Sequence, residues 1–275
     1  MPSLKLKKLK TLNFAAVSAL SMCCPAWAQV GPSAAKALAP TGTLRAAFLQ
    51  NNPVQGRVDP RTGAVSGPAI DLTRELGKRL GVPVSIVGVP GMREMVEGFK
   101  NNTLDMAFLA SDPSRAKEID FSQVYTLSWS SYLVPVTSPL HTVADADRAG
   151  IKIGATTGDS PQLYLSRNLK NAELKSYPNP SPQDALRMLA AGEIDAYAAN
   201  RQRLIEMAAT APATKVLPDN YSSVKQAVCV LKGNTAAMDL INHFLDEARA
   251  SGLIQAAINR ANLSASVDVA PAEGK

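Results

Sequence analysis

The sequence predicts an α/β protein built as two similar lobes, and three observations carry that reading. Residues 92–110 (MREMVEGFKNNTLDMAFLA) and 182–200 (PQDALRMLAAGEIDAYAAN) repeat one another, with Val96, Phe99, Leu104 and Asp105 falling on Leu186, Leu189, Ile194 and Asp195. Each copy is an amphipathic helix, a short polar turn and a small-residue apolar strand, which is half of a βαβ unit. Strand-type and helix-type segments alternate before each copy in the same order, so each lobe is predicted to hold a parallel sheet. The plainer alternative, chance recurrence of a helix–turn–strand phrase, does not account for the order appearing twice. Two lobes leave a cleft between them, and clefts at domain interfaces are where small molecules most often sit.

Residues 29–42, beginning QVGPSAAKALAPT, are small, proline-containing and aperiodic, which predicts a loose leader. Residues 44–49 read as a first strand and 56–67 as a turn-rich loop. Residues 69–80 read as a helix, with apolar residues at 72, 76 and 80 and Gly81 as its stop. Strand 83–87, helix 92–100 and strand 104–110 complete a βαβαβ lobe. After a β-rich segment at 132–136 the pattern restarts as strand 151–155, helix 161–169, strand 173–177, helix 182–191 and strand 194–199. A strong strand at 224–231 and helices at 236–250 and 253–261 close the chain. Connections near 132–136 and 224–232 bring the last helices back to the first lobe, which predicts a two-strand hinge. Lobe one is then 43–131 plus 233–265, lobe two with the hinge strands is 132–232, and 266–275 is a tail.

The N-terminus predicts export. Lys5, Lys7, Lys8 and Lys10 form a basic region, 14–22 is apolar but too short to span a bilayer, and Ala26-Trp27-Ala28 is a small-x-small cleavage site. Residues 1–28 read as a signal peptide. Leu20-Ser21-Met22-Cys23 offers lipid anchoring at Cys23 as an alternative, against which Met22 is bulky for its position. All four charges of the segment are lysines, so the 29 basic residues fall to 25 against 23 acidic ones after cleavage. That balance, with no basic run interleaved with aromatics, predicts no nucleic-acid partner. Cys23 and Cys24 leave with the signal, and Cys229 in the run Ala227–Leu231 reads as a small buried hydrophobe.

Ser111-Asp112-Pro113-Ser114-Arg115, then Ile119-Asp120-Phe121-Ser122 and Tyr125, resembles the segment of family 3 extracellular solute-binding proteins in which T-x-x-R precedes v-x-F-S-x-P-Y. The chain is similar to that family also at Gly67 to Asp71-Leu72 and on to Leu80-Gly81, at Gly192-Glu193-Ile194-Asp195-Ala196, and in a hinge strand ending Leu231-Lys232-Gly233. The resemblance covers residues 43–265. It implies the type II periplasmic binding fold: a monomeric, cofactor-free, bilobal receptor in the periplasm. Such a receptor closes on a small carboxylate-bearing solute and presents it to a membrane ABC permease.

The resemblance also implies that Arg115 clamps the ligand's carboxylate, and a planar guanidinium is a bidentate match for one. The plainer reading is a surface arginine paired with Asp112 or Glu118. Gly158-Asp159-Ser160 stands where the family binds the same carboxylate with a hydroxyl and a helix N-terminus. Ser160 fits that part; Asp159 is a departure that either contacts ligand or caps the helix after it. Asn200 stands where amino-acid binders carry an aspartate for the ammonium, and Gln50-Asn51-Asn52-Pro53 replaces the usual stacking aromatic. The segment from Asp105 to Arg115 is short for the family. The candidate ligand set is therefore Arg115, Ser160, Asp159, Asn200, Asn51, Asn52 and Ala110. A neutral Asn200 points to a ligand that is anionic overall, unless Asp159 takes the ammonium. Tyr125, Trp129 and Tyr132 lie near the cleft, with core packing the plainer reading.

A secreted enzyme on the same fold, such as a cyclohexadienyl-type dehydratase using Asp159 or Glu173 as a general acid, is the competing class. His141 and His243 fall in unrelated segments, and no H-E-x-x-H, paired-cysteine or G-x-S-x-G arrangement is present. The sequence thus predicts a binding protein with no metal.

Overall fold

A computed structural model describes residues 32–272. The signal-peptide reading and Cys23 lie outside the described residues. The chain runs α1 (Pro32–Leu38), β1 (Leu44–Leu49), a small hairpin of β2 (Arg57–Val58) and β3 (Val65–Ser66), α2 (Pro68–Leu80), β4 (Val84–Val89), α3 (Met92–Lys100) and β5 (Met106–Ala110). It crosses on the long β6 (Ile119–Pro135) to β7 (Lys152–Thr156), α4 (Ser160–Asn168), β8 (Glu173–Tyr177), α5 (Pro182–Ala190), β9 (Ala196–Asn200), α6 (Arg201–Thr210) and β10 (Thr214–Val216). It returns on β11 (Ser222–Leu231) and ends in α7 (Thr235–Ala250), α8 (Leu253–Arg260) and β12 (Val267–Val269).

In lobe one β1 runs parallel to β4 and β5; in lobe two β7 runs parallel to β8 and β9. The antiparallel strands β11 and β6 lie between these halves, so the principal sheet order is β4-β1-β5-β11-β6-β9-β7-β8. The repeat has a physical basis here. Asp105 accepts the Arg45 N–H at 2.9 Å through its side chain and returns its own N–H to the Arg45 carbonyl at 2.8 Å. Asp195 treats Lys152 the same way, both bonds at 2.8 Å. Each aspartate therefore pins the third strand of its lobe to the first, satisfying backbone groups that open strand ends would leave unpaired.

The cores are separate. Phe48, Leu72, Phe108, Tyr125, Val228, Phe244 and Ile258 are buried together in lobe one, and Tyr132, Leu140, Ile153, Leu165 and Leu217 in lobe two. The division falls between Tyr125 and Tyr132 on β6 and between Leu217 and Val228 on the return. The expected crossing at 132–136 is thus already inside lobe two, and the end of β11, expected with lobe two, packs in lobe one.

Several segments differ from expectation, among them the hairpin β2–β3 inside the expected loop 56–67 and the start of β6 at Ile119, well before the expected 132–136. The leader is helical over 32–38, packs against α7 and buries Leu38 and Ala39 in the lobe-one core, so burial overrides the aperiodic local pattern. The expected tail contains β12, which pairs with Thr126, Leu127 and Ser128 of β6 beside the crossing. Val267 and Ala270 are buried by it, so apolar burial overrides the weak local pattern. The segment after Asn200, to which no element was assigned, is helix α6. Among the described residues no helix is long and apolar enough to cross a membrane, and no cluster of His, Cys, Asp and Glu could hold a metal ion.

Candidate functional site

The lobes enclose a cavity of about 470 Å³, within the range of small-molecule sites. All seven residues singled out from the sequence line it: Asn51, Asn52, Ala110 and Arg115 from lobe one, and Asp159, Ser160 and Asn200 from lobe two. The crossing strands supply Ser128, Val224 and Gln226 to the same cavity. Its wall continues into a buried chain of amides, Gln226 donating to Ser128 Oγ at 3.0 Å and Gln55 to Gln226 Oε1 at 3.0 Å.

Arg115 closes a single 3-10 turn, Pro113–Arg115, that follows β5. Its Nη1 donates to the Ala110 carbonyl at 2.8 Å and its Nη2 to the Gly158 carbonyl of the other lobe at 2.7 Å. Neither expected partner takes it. Asp112 accepts Ser114 N–H at 3.0 Å and Arg167 of α4 at 2.7 Å, while Glu118 pairs with Lys100 at 2.9 Å. The Arg167 guanidinium holds the Asp112 carboxyl well below the usual carboxylate range. Three of the five guanidinium donors of Arg115 are left for something else. Burial pulls its pKa down, with Asp159 and Asp112 opposing.

Across the cleft, Gly158 at φ +77° turns the chain from β7 into α4, a conformation that favours glycine. Asp159 occupies the N-cap position of α4, yet its side chain makes no capping hydrogen bond. The capping alternative is not realised. Among the described residues the Asp159 carboxylate has no hydrogen-bond or ion-pair partner. Burial pushes its pKa up, and the charges of Arg203 and Arg115 pull it back only in part.

Asn200 is committed at both ends: its Oδ1 accepts the Arg203 N–H at 3.0 Å, capping α6, and its Nδ2 donates to Asn52 Oδ1 at 3.0 Å across the cleft. Asn51 reaches Asn179 at 3.0 Å, and Arg57 pairs with Glu206. These contacts bridge the lobes in a closed arrangement. The aromatic candidates do not line the cavity: Tyr125 and Tyr132 sit in the two cores, and Trp129 Nε1 donates to Asp268 of β12 at 2.9 Å. Cys229 is buried in lobe one, where burial pushes its thiol up to about 12, so it is an unreactive packing residue.

Arg203 lines the cavity and was not among the candidates. It sits in the first turn of α6. The available signal was Asn200 as a cap followed by Leu204 and Met207 on one helix face.

With this geometry established, the sequence matches the bacterial extracellular solute-binding proteins, family 3, over residues 44–262. The chain belongs to that family. The L-cystine-binding protein TcyJ of Escherichia coli K12 is 25% identical over 198 residues, covering 70% of this chain and 73% of that one. Among solved structures, the amino acid ABC transporter substrate-binding protein AbpA of Streptococcus pneumoniae, bound to L-arginine, superposes with a TM-score of 0.69 at 19% identity, covering 82% of this chain and 97% of that one. The ancestral amino-acid-binding protein AncCDT-1, a precursor of cyclohexadienyl dehydratase, gives 0.67 at 20% identity over 82% and 97%. These structures share the fold. The family is one of extracellular binding proteins for ABC transport rather than of enzymes.

Proposed function

We propose that this family member works in the periplasm as a monomer, captures a small carboxylate-bearing solute of the amino-acid class in the interlobe cleft, and hands it to a membrane ABC permease. Arg115 carries the reading. It is a sheltered guanidinium with free donors, held by one carbonyl from each lobe and facing the N-terminus of α4 across the cavity. A carboxylate placed there meets a bidentate fork, the backbone N–H groups at the start of α4 and the Ser160 hydroxyl. Ala110 shapes the cavity beside Arg115, while Asn51, Asn52 and Asn200 hold the lobes together over the ligand. Asp159, unpartnered, takes the ligand nitrogen that the neutral Asn200 does not.

A thermal-shift panel of L-amino acids with their N-acetyl and deamino analogues tests this, since a ligand at a hundred times its Kd adds about 2.7 kcal/mol of stability. Stabilisation by free amino acids above their N-acetyl forms supports Asp159 as the nitrogen's partner; the reverse order returns the site to a purely anionic ligand. Stabilisation by no carboxylate overturns the proposal.

Asp159→Asn separates binding from folding. A buried carboxyl with a raised native pKa costs stability that accumulates as pH rises from the unfolded-state pKa to the native one and is constant above it. The variant is therefore expected to raise the urea midpoint of the ligand-free protein at pH 7, to raise it less at pH 4, where little of that cost has accumulated, and to weaken binding of free amino acids. Denaturation at pH 4 and pH 7 with calorimetry reads all three.

A further inference from the structure

We propose that the cleft is built for a solute carrying two anionic groups and one hydrogen-bond-donating nitrogen, with Arg203 holding the second anion. The inference rests on the reading above that the cleft is the ligand site and that Arg115 takes the first carboxylate.

Arg203 is 8% exposed and lines the cavity. One guanidinium N–H reaches the Pro180 carbonyl at 3.1 Å, and the guanidinium carbon lies 5.9 Å from the Tyr197 ring centroid. Four donors remain, and among the described residues no carboxylate lies within ion-pair distance. Three other sheltered arginines pair with a carboxylate, Arg45 with Asp105 at 2.6 Å, Arg79 with Glu75 at 2.7 Å and Arg249 with Asp246 at 3.2 Å, while part-buried Arg201, which has no carboxylate partner, is held by three carbonyl oxygens, of Leu217, Asp219 and the Asn220 side chain. A buried charge without a counter-charge is expensive, and it is retained where a ligand supplies the counter-charge.

The charge balance of the cavity says which ligand. Arg93 and Glu94 at the rim neutralise each other at 2.9 Å. The remaining charged lining residues are Arg115, Arg203 and Asp159, two cations and one anion that stand close enough for both arginines to act on Asp159. The complement is two carboxylates and one ammonium, a dicarboxylic amino acid with net charge −1. Arg115 comes from lobe one and Arg203 from lobe two, so such a ligand spans the cleft and ties the lobes through its own ends. The Tyr197 ring lies beside the Arg203 guanidinium, and its hydroxyl shares a hydrogen bond of 2.9 Å with Thr156 Oγ1.

Calorimetry on the mature protein with acid and amide pairs of increasing length tests the assignment: L-aspartate with L-asparagine, L-glutamate with L-glutamine, and L-2-aminoadipate with its 6-amide. In at least one pair the acid is expected to bind about thirty-fold or more tightly than the amide. In Arg203→Met that ratio is expected to fall toward one, and in Arg203→Lys to recover in part. Amides binding as well as acids throughout, or an unchanged ratio in Arg203→Met, overturns the assignment. If amides bind in an Arg115-dependent way without an acid preference, the second-anion site falls and the carboxylate clamp stands. If no member of the panel binds, both fall.

Discussion

Arg115→Ala is expected to remove ligand binding while the protein remains folded. Truncation deletes the fork that meets the carboxylate in a sheltered cavity, and losing one partner of a desolvated charge pair costs about 2–5 kcal/mol, or roughly thirty-fold to several-thousand-fold in affinity. The folded state loses two hydrogen bonds, to the Ala110 and Gly158 carbonyls. Because Ala110 and Gly158 line the cavity, water can replace the guanidinium at their carbonyls, and the stability cost is expected near 1 kcal/mol. Calorimetry for binding and urea denaturation for stability read the two separately. Unchanged affinity would show that the cavity recognises its ligand through other groups.

Gly67→Ala is expected to damage both fold and site. Gly67 sits at φ +125°, and a Cβ there would lie 2.7 Å from the Gly56 Cα and 3.0 Å from the Gln55 carbonyl. Both obstacles are backbone, so neither can swing away. Backbone strain of about 1–3 kcal/mol and overpacking of similar size combine to an expected loss of about 2–4 kcal/mol. The segment that must give way connects to Asn52 in the cavity, and Gln55 in it accepts the Leu49 N–H at 3.1 Å and feeds the amide chain through Gln226. Ligand affinity is therefore expected to fall as well. Gly63→Ala is the control: φ is +72° but the space around it is open, so the cost is about 1–2 kcal/mol of left-handed strain alone. Equal urea midpoints for the two variants would refute the close-approach explanation.

The alternating elements and the duplicated aspartates were legible because each is written locally: a helical period, a turn, a strand of small apolar residues. Gly67 was legible as the end of the turn-rich loop 56–67 and as part of a family resemblance, but its close approach to Gly56 at the other end of that loop was not, because no local pattern specifies which loop backbones touch. The leader helix and β12 were not legible, since each depends on burial against distant partners rather than on its own pattern, whereas α6 carries a local signal, Asn200 as a cap before Leu204 and Met207, that reading Asn200 as a ligand position obscures. Asn200 shows the limit at the site itself. Its identity was read as a missing charge at a ligand position, whereas the structure commits its amide to capping α6 and bridging to Asn52. Asp159 is the reverse case, a cap-forming residue type at a cap position whose side chain forms no cap. Whether a polar side chain serves the backbone or the cavity is decided by a rotamer, and no local sequence pattern specifies that. Arg203 went unread because its charge becomes informative only when its burial, and the absence of a neighbouring acid, are seen.

The central claim is that the interlobe cleft holds a carboxylate-bearing solute against Arg115. A crystal structure of the protein grown with the tightest binder from the thermal-shift panel tests it directly. The account predicts the ligand inside the cavity between Arg115 and the N-terminus of α4, with carboxylate oxygens about 2.7–3.2 Å from guanidinium nitrogens. A ligand bound outside the cleft, for example in the surface hollow beside Asp71 and Arg260, or bound inside it with its carboxylate turned away from Arg115, would contradict it.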